Sequence, residues 1–126
     1  MSQGKILIVE DNNFVRMQIV QYLKSADYEC IEASTAHQGL EQINDTINVA
    51  IVDVRMEPLD GFEFIQAVRA RGLDTPVILV TGDQNPDVLE KSSKWNVMTV
   101  LMKPVQKDRL ISMVSRTIAM AKRKKG

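Results

Sequence analysis

Five residues of this chain have side chains suited to handling phosphate: Glu10, Asp11, Asp53, Thr81 and Lys103. Three carboxylates gathered in one crevice repel each other. At an effective dielectric of about 20, two like charges 4 Å apart cost roughly 4 kcal/mol. Lys103 supplies one fixed positive charge, which is too little to neutralise three acids, so a divalent cation is implied. A donor set of oxygens, without histidine or cysteine, suits Mg2+, with Mn2+ as a substitute. Such a site keeps coordination positions open, and these commonly take a phosphoryl oxygen. A threonine hydroxyl and a lysine are then left for the other phosphoryl oxygens. Nucleophile, metal, lysine and hydroxyl together are the equipment of phosphoryl transfer. An ionised aspartate acting as the nucleophile needs no separate base. Taken singly, each residue is unremarkable: the acidic pair reads as a solvated loop, Lys103 as a surface lysine and Thr81 as a strand end or helix cap.

The elements that would bring these residues together are legible. Ile6–Val9, Val49–Val52 and Val77–Val80 are continuous apolar runs, rich in β-branched residues. Such runs suit strands buried on both faces of a parallel sheet. A shorter, more polar run around Cys30 and Ile31 suits an edge strand, and Val97–Met102 makes a fifth. Between them lie amphipathic stretches with helical spacing: Phe14, Val15, Ile19, Tyr22 and Leu23; Leu40 and Ile43; Phe62, Ile65 and Val68; Leu110, Ile111, Val114 and Ile118. A weakly patterned fourth helix is expected around Val88 and Leu89, with Pro86 at its start and Asn85 as cap. Asp60-Gly61, Gly72 and Thr75-Pro76 separate other elements. Five strands alternating with five helices predict a doubly wound α/β domain. In such sheets ligands bind beyond the carboxyl ends of the strands. Strand one is followed by Glu10 and Asp11, strand three by Asp53, strand four by Thr81 and Gly82, and strand five by Lys103 and Pro104. Only the expected edge strand ends without a group able to bind metal or phosphate.

Composition narrows the function classes. The chain has 126 residues, room for one core. With 44% hydrophobic and 25% charged residues it has the make-up of a globular domain rather than a disordered chain. No apolar stretch is long enough to cross a membrane, and with no cleavage signal at the start a cytoplasmic protein is expected. Cys30 is the one cysteine, so no internal disulfide or zinc site can form; it reads as a small hydrophobe. Sixteen basic and sixteen acidic residues balance, but residues 1–115 hold 11 bases against 16 acids, a net of −5. An acidic body argues against direct nucleic-acid binding by the domain. We expect a domain over 1–121 and a basic tail or linker start over 122–126. His37 and Trp95 are given no role.

The order and placement of these motifs resemble the receiver domain of two-component response regulators over essentially the whole chain. The matching residues are Ile8-Val9-Glu10-Asp11-Asn12, Val52-Asp53-Val54-Arg55-Met56, Asp60-Gly61, Val80-Thr81-Gly82 and Lys103-Pro104. The resemblance implies a flavodoxin-like, CheY-like (βα)5 fold with strand order 2-1-3-4-5. It implies that Asp53 is the phosphoacceptor, taking a phosphoryl group from a phosphohistidine. Glu10, Asp11, Asp53 and the backbone carbonyl of Arg55 would hold Mg2+. Thr81 with Gly82, and Lys103, would contact the phosphoryl group, and the Lys103–Pro104 bond is expected to be cis. Arg55 and Asp83 occupy positions that tune phosphoryl lifetime, and their opposite charges would pair across the mouth. The implied partners are a sensor histidine kinase or a histidine phosphotransfer protein, docking on helix one around Phe14, Arg16 and Met17. A second copy would pair through the face of helix four, strand five and helix five. The implied role is a switch that catalyses its own phosphorylation and dephosphorylation, not a turnover enzyme on a separate substrate.

Two departures stand out. Proline follows Asp53 by five residues, in Met56-Glu57-Pro58, one later than is usual. The switch position three residues before Lys103 is Val100, where the family carries Tyr or Phe; a valine cannot signal by swinging a ring. Other functions fit the sequence less well. A dehalogenase-type Mg2+ phosphatase needs an acid two residues after the nucleophile, and Arg55 stands there. A flavin carrier needs a hydroxyl-rich loop after strand one, where this chain has Glu10-Asp11-Asn12-Asn13. A receiver-like docking module that works without phosphorylation is the remaining alternative.

Overall fold

The computed structural model describes residues 2–82, 88, 90, 91, 94, 95 and 97–125, with side chains described as far as Lys122. Five parallel strands form one sheet: β1 (Lys5–Val9), β2 (Glu29–Ala33), β3 (Val49–Asp53), β4 (Val77–Thr81) and β5 (Val97–Met102), in the order β2-β1-β3-β4-β5. Helices α1 (Asn13–Ser25), α2 (Ala36–Gln42), α3 (Gly61–Ala70) and α4 (Lys107–Lys125) connect and flank them. This is the expected doubly wound arrangement. The fifth helix of the sequence reading is α4 here. Of the helix expected between β4 and β5, Val88, Glu90, Lys91 and Lys94 are helical, whereas Asp83, Asn85, Pro86 and Leu89 lie outside the described residues.

The continuous apolar runs are explained by burial on both faces. Along β1, Leu7 and Val9 face one layer, with Ala50 and Val52 of β3, Leu79 of β4 and Phe64, Ile65 and Val68 of α3. Ile6 and Ile8 face the other, with Ile51, Ile78 and Val80 and the helix residues Ile19, Leu23, Leu110 and Val114. Each such side chain taken from water contributes about 1.5–3 kcal/mol. β2 is an edge strand, as expected, and Cys30 on it is half-buried with its thiol pushed up to about 11, mainly by burial. The β4–β5 pairing is interrupted between Val77 and Ile78; Val77 faces Val97 and Ile78 faces Thr99, so Met98 is the extra residue of a bulge.

The helix ends are set by local chemistry. Asn12 caps α1, its side-chain oxygen accepting from the N–H groups of Phe14 (2.9 Å) and Val15 (3.0 Å). Asp60 and Glu63 form a capping box at the start of α3. Gly72, at φ +80°, follows the last turn of α3, where a Cβ would be strained. One apolar assignment needs correction. Phe14 does not belong to the buried stripe of α1; it is 78% exposed, while Val15, Ile19, Tyr22 and Leu23 pack against the core. Phe14 lies in the first turn of the helix, just after the cap.

Candidate functional site

The site forms where β1, β3, β4 and β5 end. Backbone ladders run one residue past the strands on both flanks: the Glu10 N–H donates to the Ala33 carbonyl (3.0 Å), and the Lys103 N–H to the Thr81 carbonyl (2.8 Å). The backbone of both residues is thereby fixed to the sheet. Asp53 is the last residue of β3, and Val54 continues the pairing by donating to the Val80 carbonyl (3.1 Å). Thr81, fully buried, ends β4 next to it, and Gly82 follows on the surface.

The three acids meet. Glu10, Asp11 and Asp53 each offer a carboxylate oxygen, and these oxygens lie within 4.8 Å of one another. Glu10 and Asp53 are buried, at 2% and 4% exposure, whereas Asp11 is open to solvent. The Lys103 ammonium stands 3.0 Å from Glu10 Oε1 and 3.3 Å from Asp53 Oδ1. Glu10 Oε2 accepts from the Asn12 N–H (3.1 Å), and Asp53 Oδ1 from the Arg55 N–H (3.3 Å). Glu10 Oε1 is buried yet has no hydrogen bond; its approach to Lys103 is a charge contact without hydrogen-bond alignment. The ammonium that faces it is shared with Asp53.

The titration of the site follows. Burial, then the adjoining Glu10 carboxyl, push Asp53 up to about 7, with Lys103 opposing. Burial works against the Lys103 ammonium, but its two carboxylate neighbours outweigh it and its pKa is raised. One lysine is thus not enough to keep Asp53 fully ionised at neutral pH. The crowded carboxylates and the oxygen-only donors fit a hard divalent cation.

Gly61 lets the Asp53 loop pack as it does. A Cβ there would come 2.5 Å from the Asp53 carbonyl oxygen, and the Gly61 N–H donates to the Val54 carbonyl (2.9 Å). Asp60-Gly61 thus seats the start of α3 against the end of β3. Arg55 is exposed at the rim, and Asp83, its expected partner, lies outside the described residues. The Lys103–Pro104 bond is cis, as expected, and so is Glu57–Pro58. Val100 is half-buried on β5 opposite Leu79 and packs against the core layer that includes α2 and α3. Asn12, which has no expected site role, caps α1, and its backbone N–H also donates to Glu10. A signal was present, since Asn directly before an amphipathic helix marks a cap.

Comparison with known proteins gives the family. The response regulator receiver domain family matches residues 6–115, and the chain belongs to that family. It is 29% identical over 100 residues to a cyclic di-GMP phosphodiesterase of Thermotoga maritima, covering 79% of this chain and 27% of that protein. It is 30% identical over 109 residues to the sensor histidine kinase RcsC of Salmonella typhi, covering 83% of this chain and 11% of the kinase. The chain therefore spans about a quarter or less of these relatives. Among solved structures, a CheY-like receiver domain protein from Methanospirillum hungatei superposes with a TM-score of 0.88 at 26% identity, over 98% of this chain and 99% of that one. The domain is a receiver of the two-component type, a signalling fold with an acidic pocket suited to metal.

Proposed function

We propose that Asp53 is the phosphoacceptor of this receiver. Its carboxylate oxygen attacks the phosphorus of a phosphohistidine, the P–N bond breaks, the imidazole leaves with the electron pair, and an acyl phosphate forms on Asp53. Water later attacks the phosphorus, the P–O bond to Asp53 breaks, and inorganic phosphate leaves as the carboxylate is restored. Glu10, Asp11, Asp53 and the Arg55 carbonyl would hold Mg2+, or Mn2+ in its place. When bound, that ion offsets the negative charge of the carboxylates and of the incoming phosphoryl oxygens. Lys103, 3.3 Å from Asp53 Oδ1, is within reach of a phosphoryl oxygen carried there. Thr81 and Gly82, at the end of β4, would supply the remaining donors. Val100 gives the site no ring to swing, so output would pass through backbone and packing changes along β5.

The phosphodonor would be a sensor histidine kinase or a histidine phosphotransfer protein, and the compartment the cytoplasm. Among the described residues no helix is long and apolar enough to cross a membrane. The switch turns over its own phosphoryl group and no separate substrate. Residues 1–121 would form the receiver and 122–126 the start of a basic tail, and a second copy would pair over β5, α4 and the segment before β5. The observation that carries this reading is the cluster itself: three carboxylates within 4.8 Å, served by one lysine, around a strand-end aspartate. Intact mass after incubation with acetyl phosphate and Mg2+ tests it. The expected result is gain of one phosphoryl group, lost in Asp53→Asn and after chelation. A folded protein that gains none, from acetyl phosphate or from a phosphohistidine donor, would leave the docking-module reading in its place.

A further inference from the structure

The three carboxylates are not held alike. Glu10 is fixed by the Asn12 N–H and faces Lys103; Asp53 is fixed by the Arg55 N–H and by Lys103. The Asp11 carboxylate makes no hydrogen bond or ion pair among the described residues, so its direction depends on the backbone that carries it. That backbone is gripped from below. Arg16, on the first turns of α1, sends Nη1 to the Glu10 carbonyl oxygen at 2.7 Å. Its Nε meets Glu32 Oε1 on β2 at 3.2 Å, and its Nη2 meets Asn13 Oδ1 at 2.7 Å. The side chain is only 16% exposed, so its main business is inward.

A carbonyl oxygen lies in the plane of its peptide, and the next residue hangs from that plane. Fixing the Glu10 carbonyl therefore fixes the peptide from which Asp11 projects. We infer that Arg16 is a positioning residue that aims the Asp11 carboxylate at the cation, with Glu32 and Asn13 holding the guanidinium in turn. The inference rests on the proposed cation site. An arginine suits the task because a planar fork can serve three acceptors at once from a rigid frame. A lysine keeps the charge but not the geometry. Supporting groups behind a metal ligand typically alter affinity 10–100-fold when replaced.

Mg2+ affinity, measured by calorimetry on the unphosphorylated protein, tests this. Arg16→Lys is expected to weaken Mg2+ binding about tenfold. A purely electrostatic role would leave the affinity within twofold of the parent, and that result overturns the inference. The sharper arm is a cycle with Asp11→Asn. If Arg16 acts through Asp11, adding Arg16→Lys to Asp11→Asn should weaken Mg2+ no further. A full second tenfold loss in the double variant would show that Arg16 acts elsewhere, and would overturn it too. Should Arg16→Lys not fold, Glu32→Ala serves, since Glu32 is half-exposed and removes only the strut's outer bond. It is expected to weaken Mg2+ in the parent by less than Arg16→Lys does, since Arg16 keeps its bond to the Glu10 carbonyl, and not at all beside Asp11→Asn. An unchanged affinity there counts against the inference. A parent protein that binds no Mg2+ would instead sink the site reading itself, and the inference with it.

Discussion

The two ends of the sheet are built from similar groups and behave in opposite ways. At the amino end the polar groups are already satisfied. The Lys5 N–H donates to Asn48 Oδ1 (2.8 Å), Arg69 donates to the carbonyls of Leu73 (3.1 Å) and Thr75 (2.9 Å), and the Thr117 hydroxyl donates to the Met113 carbonyl (2.6 Å). A cavity of about 430 Å³ opens there, with Leu73, Pro76, Met98 and Ile118 in its wall. At the carboxyl end three carboxylates crowd together, two of them share one lysine, and Glu10 Oε1 is the buried side-chain oxygen left without a hydrogen bond among the described residues. Space alone does not define a functional site. What separates the ends is crowded like charge, held in place by the strand ends that carry it.

The largest effect should come from removing that charge. Asp53 titrates at about 7 in the folded protein, against an ordinary 3.8. The folded state therefore keeps its proton to higher pH than the unfolded chain does. Without metal, the Asp53 contribution to stability falls as pH rises from about 4 to 7 and is level above that. A shift of that size has a ceiling of roughly 4 kcal/mol. Asp53→Asn keeps the shape and loses the charge, so in chelator at pH 8 it should be more stable by about 3 kcal/mol. Urea unfolding across pH 4–8 measures this, and an equal pH slope in both proteins would contradict it. Saturating Mg2+ should narrow or reverse the gap, because binding to the folded state stabilises it by mass action.

A second test acts on geometry rather than charge. Gly61→Ala would place a methyl 2.5 Å from the Asp53 carbonyl oxygen and 3.1 Å from the Val54 Cα. Neither neighbour is a flexible side-chain end, so α3 or the end of β3 must move. Overpacking of this kind costs about 1–3 kcal/mol. We expect about 2 kcal/mol in urea unfolding, together with weaker Mg2+ binding. Lost stability with unchanged Mg2+ affinity would separate the α3 contact from the site.

Much of this arrangement is legible in the sequence, for identifiable reasons. Ile6–Val9 and Val49–Val52 are apolar on both faces because helices cover both faces, and the residue after such a run must lie at the sheet's carboxyl edge. Glu10, Asp53, Thr81 and Lys103 could be placed by that rule alone. Phe14 could not, since helical period says which residues share a stripe but not where the core that the stripe meets comes to an end. Arg16 could not either: a long side chain on the first turns can reach outward to a partner or back under its own loop, and only the positions of Glu10 and Glu32 decide. Asp60-Gly61 reads as a breaker, while the reason for glycine, the approach to the Asp53 carbonyl, is a contact between distant elements.

The smallest effect belongs to the amino end, and it tests the contrast most directly. Lys5 and Glu29 form the same kind of pair as Lys103 and Glu10, an ammonium beside a carboxylate, at 3.6 Å rather than 3.0 Å. The decisive difference is water. The Glu29 side chain is 55% exposed and the Glu10 side chain 2%. Solvent screens the outer pair, and ordering two long side chains offsets most of the attraction that remains. Glu29→Gln should therefore change stability by less than about 0.5 kcal/mol, and added salt should shrink even that. The variant should leave Mg2+ affinity untouched, measured by the same calorimetry. A shift in that affinity would mean that charge at one end of the sheet is felt at the other, and the division drawn between the ends would fail.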